Sequence, residues 1–254
     1  MKVKENATVL SQEQLAQGIY SLVLKTEAAR YAVPGQFVDI YCNEGSRLLP
    51  RPISICEIDK ENESLRMVYR VAGKGTDEFS KFVVGDTVSI LAPLGNGFPL
   101  EGEHPMVVGG GIGVPPMLGL AKELKGTITA VMGYRNDDMF LVEEFTDVAA
   151  DLVIATDDGS VGTKGTVVDA IRENELTADV IYACGPKPML RALANYAAEQ
   201  NIKCYVSMEE RMACGIGACL GCVCKSTEVD DHSHVKNKRV CKDGPVFLST
   251  EVEL

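Results

Sequence analysis

Basic residues are in short supply in this chain. Its 25 Lys and Arg face 36 Asp and Glu, for a net charge of −11 and an isoelectric point near 4.8. A nucleic-acid partner needs a basic footprint on the phosphates, so that class is excluded. Also missing is any apolar run of bilayer-spanning length, and the opening Met1-Lys2-Val3-Lys4-Glu5-Asn6 lacks the apolar core of a secretory leader. Neither an internal repeat nor a low-complexity tract is present. Cysteine usage also argues against a disulfide framework: nine is an odd number, and five of them crowd between Cys214 and Cys241. That pattern suits a reducing compartment and a metal site. The expectation is a cytoplasmic protein with no membrane and no nucleic-acid partner.

What is present is long enough, at 254 residues and 46% hydrophobic, for two or three small domains with a sizeable core. The most informative stretch is Cys214-Gly215-Ile216-Gly217-Ala218-Cys219-Leu220-Gly221-Cys222, followed by Cys241 after eighteen further residues. C-x4-C-x2-C with a late fourth cysteine is the plant-type [2Fe–2S] spacing. Four thiolates must converge on two bridged irons. Gly215, Gly217 and Gly221 are expected to supply positive-φ freedom and let amide N–H groups approach the sulfurs. A closed structural zinc shell of four cysteines is the other reading, although zinc ribbons pair two short knuckles. Cys224 is left as a second-layer or free thiol, and Cys42, Cys56 and Cys204 as core thiols.

Before residue 101 the chain reads as short alternating strands: Ile19–Leu24, Phe37–Tyr41, Leu65–Val71 and Thr87–Leu91. Period-two hydrophobicity at this spacing predicts an antiparallel barrel or sandwich. A short helix is expected over Asp77–Phe82 with Thr76 as its N-cap. Arg51 is held between Pro50 and Pro52 ahead of Ile53 and Ser54, which aims its guanidinium as an anion contact requires. Arg70-Val71-Ala72-Gly73-Lys74-Gly75-Thr76 runs from a strand through a glycine turn into the helix, a ready phosphate cradle. A surface ion pair for Arg51 and an ordinary turn at Gly73 and Gly75 are the plainer alternatives. Together the two features suggest a dinucleotide.

From residue 102 the grammar changes to strand, turn and helix. Strand Met106–Gly109 leads through Gly110-Gly111-Ile112-Gly113-Val114-Pro115-Pro116 into a helix over Met117–Leu124. Further strands are expected at Thr127–Met132, Leu152–Ala155, Val180–Ala183 and Lys203–Ser207, and helices at Leu141–Ala149, Thr166–Asn174 and Pro188–Gln200. Alternation of this kind predicts a doubly wound parallel sheet with ligands at the carboxyl ends of its strands. Gly109–Gly113, Asp157-Asp158-Gly159 and Cys184-Gly185-Pro186 all fall at such ends. Asp157 and Asp158 read better as a turn than as a ribose contact. The tail carries His232 and His234, more simply a solvated loop than metal ligands. Its basic run Lys236, Lys238 and Arg239 likewise reads as a solvated loop before a docking edge.

The order Arg-Pro-x-Ser, glycine turn to helix, G-G-G-x-G-x-P-P and Cys-Gly-Pro resembles the ferredoxin–NADP reductase superfamily along some two hundred residues. With Met208-Glu209-Glu210-Arg211-Met212-Ala213 before the cysteine run, the whole chain resembles the electron-transfer subunits of class 1B dihydroorotate dehydrogenase. The resemblance implies an FAD-binding β-barrel over 1–101, an NAD-binding α/β domain over 102–207 and a small iron–sulfur domain over 208–254. It implies that Arg51, Pro52, Ile53 and Ser54 hold FAD, that Tyr69, Arg70 and Val71 line the flavin, and that Gly75 and Thr76 cradle the pyrophosphate. Gly109, Gly110, Gly111 and Gly113 would admit NAD, with Cys184, Gly185 and Pro186 near the nicotinamide and Cys184 the nearest to a catalytic position. Cys214, Cys219, Cys222 and Cys241 would hold the cluster. The implied partner is an FMN-containing catalytic subunit, in a heterotetramer of two of each. The chain departs from single-chain reductases of the superfamily in lacking a terminal aromatic over the flavin. Two rival readings are an NAD(P)H-oxidising subunit of another complex, of the sulfide dehydrogenase or electron-bifurcating transhydrogenase type, and a zinc-stapled binding module on a degenerate reductase fold.

Overall fold

The computed structural model describes residues 1–229 and 234–254. Alternating apolar residues in the first hundred positions build β1 (Val3–Ala16), β2 (Ile19–Lys25), β3 (Phe37–Ile40), β4 (Arg51–Asp59), β5 (Ser64–Arg70) and β6 (Thr87–Leu94). They close into an antiparallel barrel in the order β1-β2-β5-β4-β3-β6. Closure leaves no free edge. Val38 and Ile40 on β3, Leu65, Met67 and Tyr69 on β5 and Val88 and Ile90 on β6 fill its interior. β4 is marked in the sequence only by the proline-bracketed Arg51, and β1 by no alternation at all. β1 pairs with β2 along one part and β6 along another, and a polar stretch with few buried positions serves for that edge-closing task.

Helix α1 (Lys74–Phe79) starts earlier than the expected Asp77–Phe82, and its N-cap is Gly73 instead of Thr76. The reason is local. Thr76 Oγ1 accepts from Ala72 N at 2.9 Å and Gly73 N at 3.2 Å, so the side chain folds back over the turn from the third helical position.

Strands and helices then alternate as expected, save for the added β10: β7 (Pro105–Gly110), α2 (Val114–Glu123), β8 (Thr129–Tyr134), α3 (Val142–Val148), β9 (Asp151–Thr156), β10 (Thr163–Lys164), α4 (Val167–Glu173), β11 (Val180–Cys184), α5 (Lys187–Gln200) and β12 (Lys203–Ser207). The C-terminal segment adds a hairpin of β13 (Val223–Lys225) and β14 (Asn237–Arg239), then β15 (Val246–Leu248). The sheet runs β10-β9-β8-β7-β11-β12-β15, parallel except for β15 against β12. Helices cover both faces: Val107, Ala130 and Met132 pack with α2 and α3, while Val108, Val131 and Ala155 pack with α4 and α5. Strand order reverses between β7 and β11, and that switch point is where such sheets open a crevice for a ligand. Residues 208–254 do not stand apart, because β15 joins the sheet and Cys222, Val240 and Cys241 share a core with Phe37 and Leu94 of the barrel. Among the described residues no helix is long and apolar enough to cross a membrane.

Candidate functional site

Two centres meet on the outside of the barrel. The first begins at Arg51, the opening residue of β4. Its guanidinium lies over Gly75 at the start of α1, where a Cβ would stand 2.5 Å from Arg51 Nε. Its hydrogen bonds go to the carbonyls of Leu49 and Pro50, and no carboxylate among the described residues pairs with it, so the surface ion pair is set aside. Cys42 feels both Arg51 and Arg47, and beside them an open cavity of about 510 Å³ is lined by Asn43, Glu44, Arg47, Asp77, Glu78 and Lys81. Because Thr76 spends its hydroxyl on the turn, the anion donors at this corner are the Arg51 guanidinium and the first helical amides. A glycine with a guanidinium where its Cβ would be is a fitting phosphate cradle.

Arg70, at the far end of β5, is exposed, and its Nη2 would stand 3.4 Å from a Cβ on Gly111. The barrel and the β7–α2 turn therefore face each other across this arginine. Tyr69 differs from the expectation that it lines the flavin. Its ring points into the barrel, stacked on Tyr20 at 6.0 Å and edge-on to Phe79 at 6.2 Å, and its hydroxyl accepts from Gln12 at 2.8 Å. Alternation along β5 dictates this, since Leu65, Met67 and Tyr69 share the inner face.

The glycines of the β7 turn have distinct reasons. Side chains at Gly109 and Gly110 would strike Val114 and Met189, and one at Gly113 would run into the Cys184 carbonyl. They let the β7 and β11 loops pack together. Gly111, at φ +53°, is the one left open toward Arg70. Burial pushes the Cys184 thiol up to about 12 against a hydrogen bond with Ser207, so it is a neutral group and not a thiolate. Gly185 and Pro186 complete the loop ahead of α5. Asp158 accepts from the backbone and hydroxyl of Ser160, the turn expected of it.

The second centre is the cysteine loop. The four thiols come as two pairs, Cys214 with Cys219 and Cys222 with Cys241. Among the described residues no three His, Cys, Asp or Glu side chains gather as one metal shell. Two pairs suit two irons better than one tetrahedral zinc. Amide donors point at the sulfurs: Gly217 N to Cys241 at 3.1 Å, Ala218 N to Cys214 at 3.3 Å, Gly221 N to Cys219 and Cys241 N to Cys222 at 3.4 Å. Burial disfavours a Cys214 thiolate, but the amides of Ile216, Cys219 and Ala218 outweigh it and bring the thiol down to about 6. Burial and the neighbouring Cys222 push Cys241 up to about 12, a proton that a bound metal ion displaces. Gly215 and Gly217 take positive φ as expected, whereas the third such position is Leu220 at φ +58° and not Gly221.

Cys56 and Cys204 are buried core thiols, while Cys42 is half-buried and Cys224 lies buried in the β13–β14 hairpin. His232 falls outside the described residues. His234 is exposed, and Arg239 pairs with Asp243 at 3.0 Å. Two residues escaped the sequence reading. Asp39 is fully buried on β3 against Gly215 of the cysteine loop, and neither carboxyl oxygen has a hydrogen-bond partner. Burial, reinforced by Cys214, pushes it up to about 7. An acid inside Phe37-Val38-Asp39-Ile40 was its only signal. Asn96, just past β6, ties the barrel to the segment after Cys241.

Residues 209–253 match the family model of the iron–sulfur cluster binding domain of dihydroorotate dehydrogenase B. Over 263 aligned positions the chain is 45% identical to the dihydroorotate dehydrogenase B (NAD(+)) electron transfer subunit of Bacillus cereus (strain B4264), and 43% identical to that of Geobacillus sp. (strain WCH70). Both chains are covered completely in each case. Among solved structures, an NADH-dependent reduced ferredoxin-NADP oxidoreductase superposes with TM-score 0.86 at 30% identity, covering 97% of this chain and 89% of that one. Phthalate dioxygenase reductase, at TM-score 0.64 and 17% identity over 96% of this chain and 97% of its own, shares the fold. With barrel, switch-point crevice and paired thiols in place along a chain this similar from end to end, the protein belongs to the family of dihydroorotate dehydrogenase B (NAD(+)) electron transfer subunits.

Proposed function

We propose that this chain relays electrons between the catalytic subunit of dihydroorotate dehydrogenase and NAD+ in pyrimidine biosynthesis, using FAD and a [2Fe–2S] cluster. The observation that carries the reading is the 45% identity, over the full length, to a protein named for that role. The 30% identity to a bifurcating enzyme is lower, which favours this reading over a transhydrogenase-type subunit.

FAD supplies the conversion between the two-electron exchange of a nicotinamide and the one-electron exchange of an iron–sulfur cluster. The chain's own residues bind, orient and shield. Arg51 over Gly75 would hold the FAD phosphate, with the α1 amides ahead of the Thr76 turn completing the cradle. Pro52, Ile53 and Ser54 would continue that strand along the flavin, with Arg70 at the end of β5 and Val71 just past it bordering the group. The packed Gly109–Gly113 and Cys184–Pro186 loops would bring NAD to the same cleft, with neutral Cys184 positioning the nicotinamide and taking no proton. Cys214, Cys219, Cys222 and Cys241 would hold the cluster, and their amide neighbours support the charge on its sulfurs.

This divides the labour among residues 1–101, 102–207 and 208–254. The partner is an FMN-containing catalytic subunit, two of each chain per complex. Exposed Ile216 and Leu220 on the cluster loop support that loop as the docking face. Nine free thiols support a reducing, cytoplasmic setting. The test is orotate-dependent NADH oxidation, without oxygen, by the native chain purified with whatever accompanies it. Activity lost on stripping the partner supports the reading. A preparation that holds FAD and cluster yet ignores orotate refutes the substrate assignment.

A further inference from the structure

We infer that the barrel carries a built-in mount for the cluster loop, and that Asn96 and Gly215 are positioning residues for electron exchange between FAD and cluster. The inference rests on the proposed cofactors and goes beyond them in saying what sets their separation.

Register comes first. On β3, Phe37 stands opposite Ser54 and Asp39 opposite Pro52 of β4. Directly opposed residues project to the same face of a sheet. Val38 and Ile40 point into the barrel, so Phe37 and Asp39 share the outer face with Pro52 and Ser54, one strand spacing of about 4.8 Å away. On that face lies the cluster loop. Gly215 rests on it at φ +64°, where a Cβ would run into Asp39 Oδ2 and stand 2.9 Å from Leu94 Cδ1. The second cluster segment is fastened to the exit of β6. Asn96 N donates to Gly244 O at 2.7 Å, and its Nδ2 donates to Lys242 O at 3.1 Å and Asp243 O at 3.0 Å, directly after Cys241. Both cysteine-bearing segments are thus held to adjacent strands of the barrel, and one of those strands pairs with the flavin motif. Barrel residues Phe37 and Leu94 share a core with Cys222 and Cys241, which leaves no hinge between the two sites.

The separation of the cofactors is therefore fixed by a β-ladder and does not depend on a domain movement or on the partner. A merely structural role for these contacts predicts that loosening them lowers stability or cluster content. Positioning predicts loss of the transfer step alone.

The test uses the holo chain carrying FAD and cluster, with Asn96→Ala and Gly215→Ala. Mixed anaerobically with NADH, both variants should bleach flavin within twofold of the native rate, while cluster reduction slows by clearly more than that margin. In Asn96→Ala cluster content should stay native, and the magnetic coupling between one-electron-reduced flavin and reduced cluster should weaken. In the cofactor-free chain, amide exchange over residues 242–245 should quicken in Asn96→Ala. Native coupling and native cluster reduction in Asn96→Ala overturn the inference, as does loss of the cluster from both variants. A native chain whose flavin NADH fails to bleach refutes the proposed function, and the mount with it. A native chain that works beside unaffected variants refutes the mount alone.

Discussion

At the scale of single residues, chemistry follows from where one atom is aimed. Cys219 is the exposed member of its pair and receives a hydrogen bond from Gly221 N. Cys219→Ser replaces a soft thiolate with a hydroxyl that an iron–sulfur core binds poorly. The expected outcome is loss of cluster absorbance with FAD retained and still bleached by NADH; unchanged iron content would break the ligand assignment. Arg51→Ala removes the guanidinium over Gly75 and leaves the α1 amides as the remaining phosphate donors. A charge-assisted contact of about 1.5–3 kcal/mol corresponds to FAD retention weakened roughly 10- to 100-fold. Full flavin occupancy after dialysis would count against that role. Cys214, Cys219, Cys222 and Cys241 were legible in the sequence because ligand spacing is a local property. Asp39 was not, because its burial depends on a loop 176 positions further along. Tyr69 was misread for a related reason: a motif gives the position on a strand, and only the barrel gives the face.

At the scale of elements, glycine placement records where backbones meet. Gly119 on α2 is the clearest case, since a Cβ there would collide with the carbonyl of Cys56 on β4. Helix propensity alone favours alanine over glycine by about 1 kcal/mol. The collision is with backbone, which cannot rotate away, so overpacking of about 1–3 kcal/mol wins. Gly119→Ala is expected to lower Tm by several degrees in calorimetry of the native chain, and a rise in Tm would show that the helix shifts freely on the barrel. Alternation of strand and helix from residue 105 to 207 was readable because period two and period 3.6 are strong signals. β1 was not, because a strand that closes a barrel with an exposed outer face has little apolar periodicity to show. β10, β13, β14 and β15 were missed since strands of two or three residues are made by their partners.

At the scale of the whole molecule, a partly buried ion network spans barrel and nucleotide-binding sheet. Arg66 on β5 donates to Glu57 on β4 at 2.5 Å and to Glu144 on α3 at 2.6 Å, while Lys122 on α2 also reaches Glu57. Burial alone would raise the Glu57 carboxyl, but the hydrogen bonds from Lys122 and Arg66 outweigh it and hold the group below the usual carboxylate range. A depressed folded-state pKa gives stability that is complete above the unfolded value, about 4.3 for glutamate, and is lost as pH falls through the folded one. Arg66→Leu removes the central cation, leaves Glu144 unpaired and keeps only Lys122 on Glu57, for a loss of about 1–3 kcal/mol at neutral pH. The gap between native and Arg66→Leu urea midpoints should therefore be wide near neutrality and close as the carboxylates protonate in acid. The same variant should keep its cluster and its flavin-to-cluster transfer, since the mount at Asn96 and Gly215 rests on β3 and the exit of β6. Hydride transfer from NADH should slow in it, because this network fastens α2 and α3 to the barrel. A variant whose cluster reduction fails before its flavin reduction would mean that the network, and not the β3–β6 edge, governs the geometry of the relay.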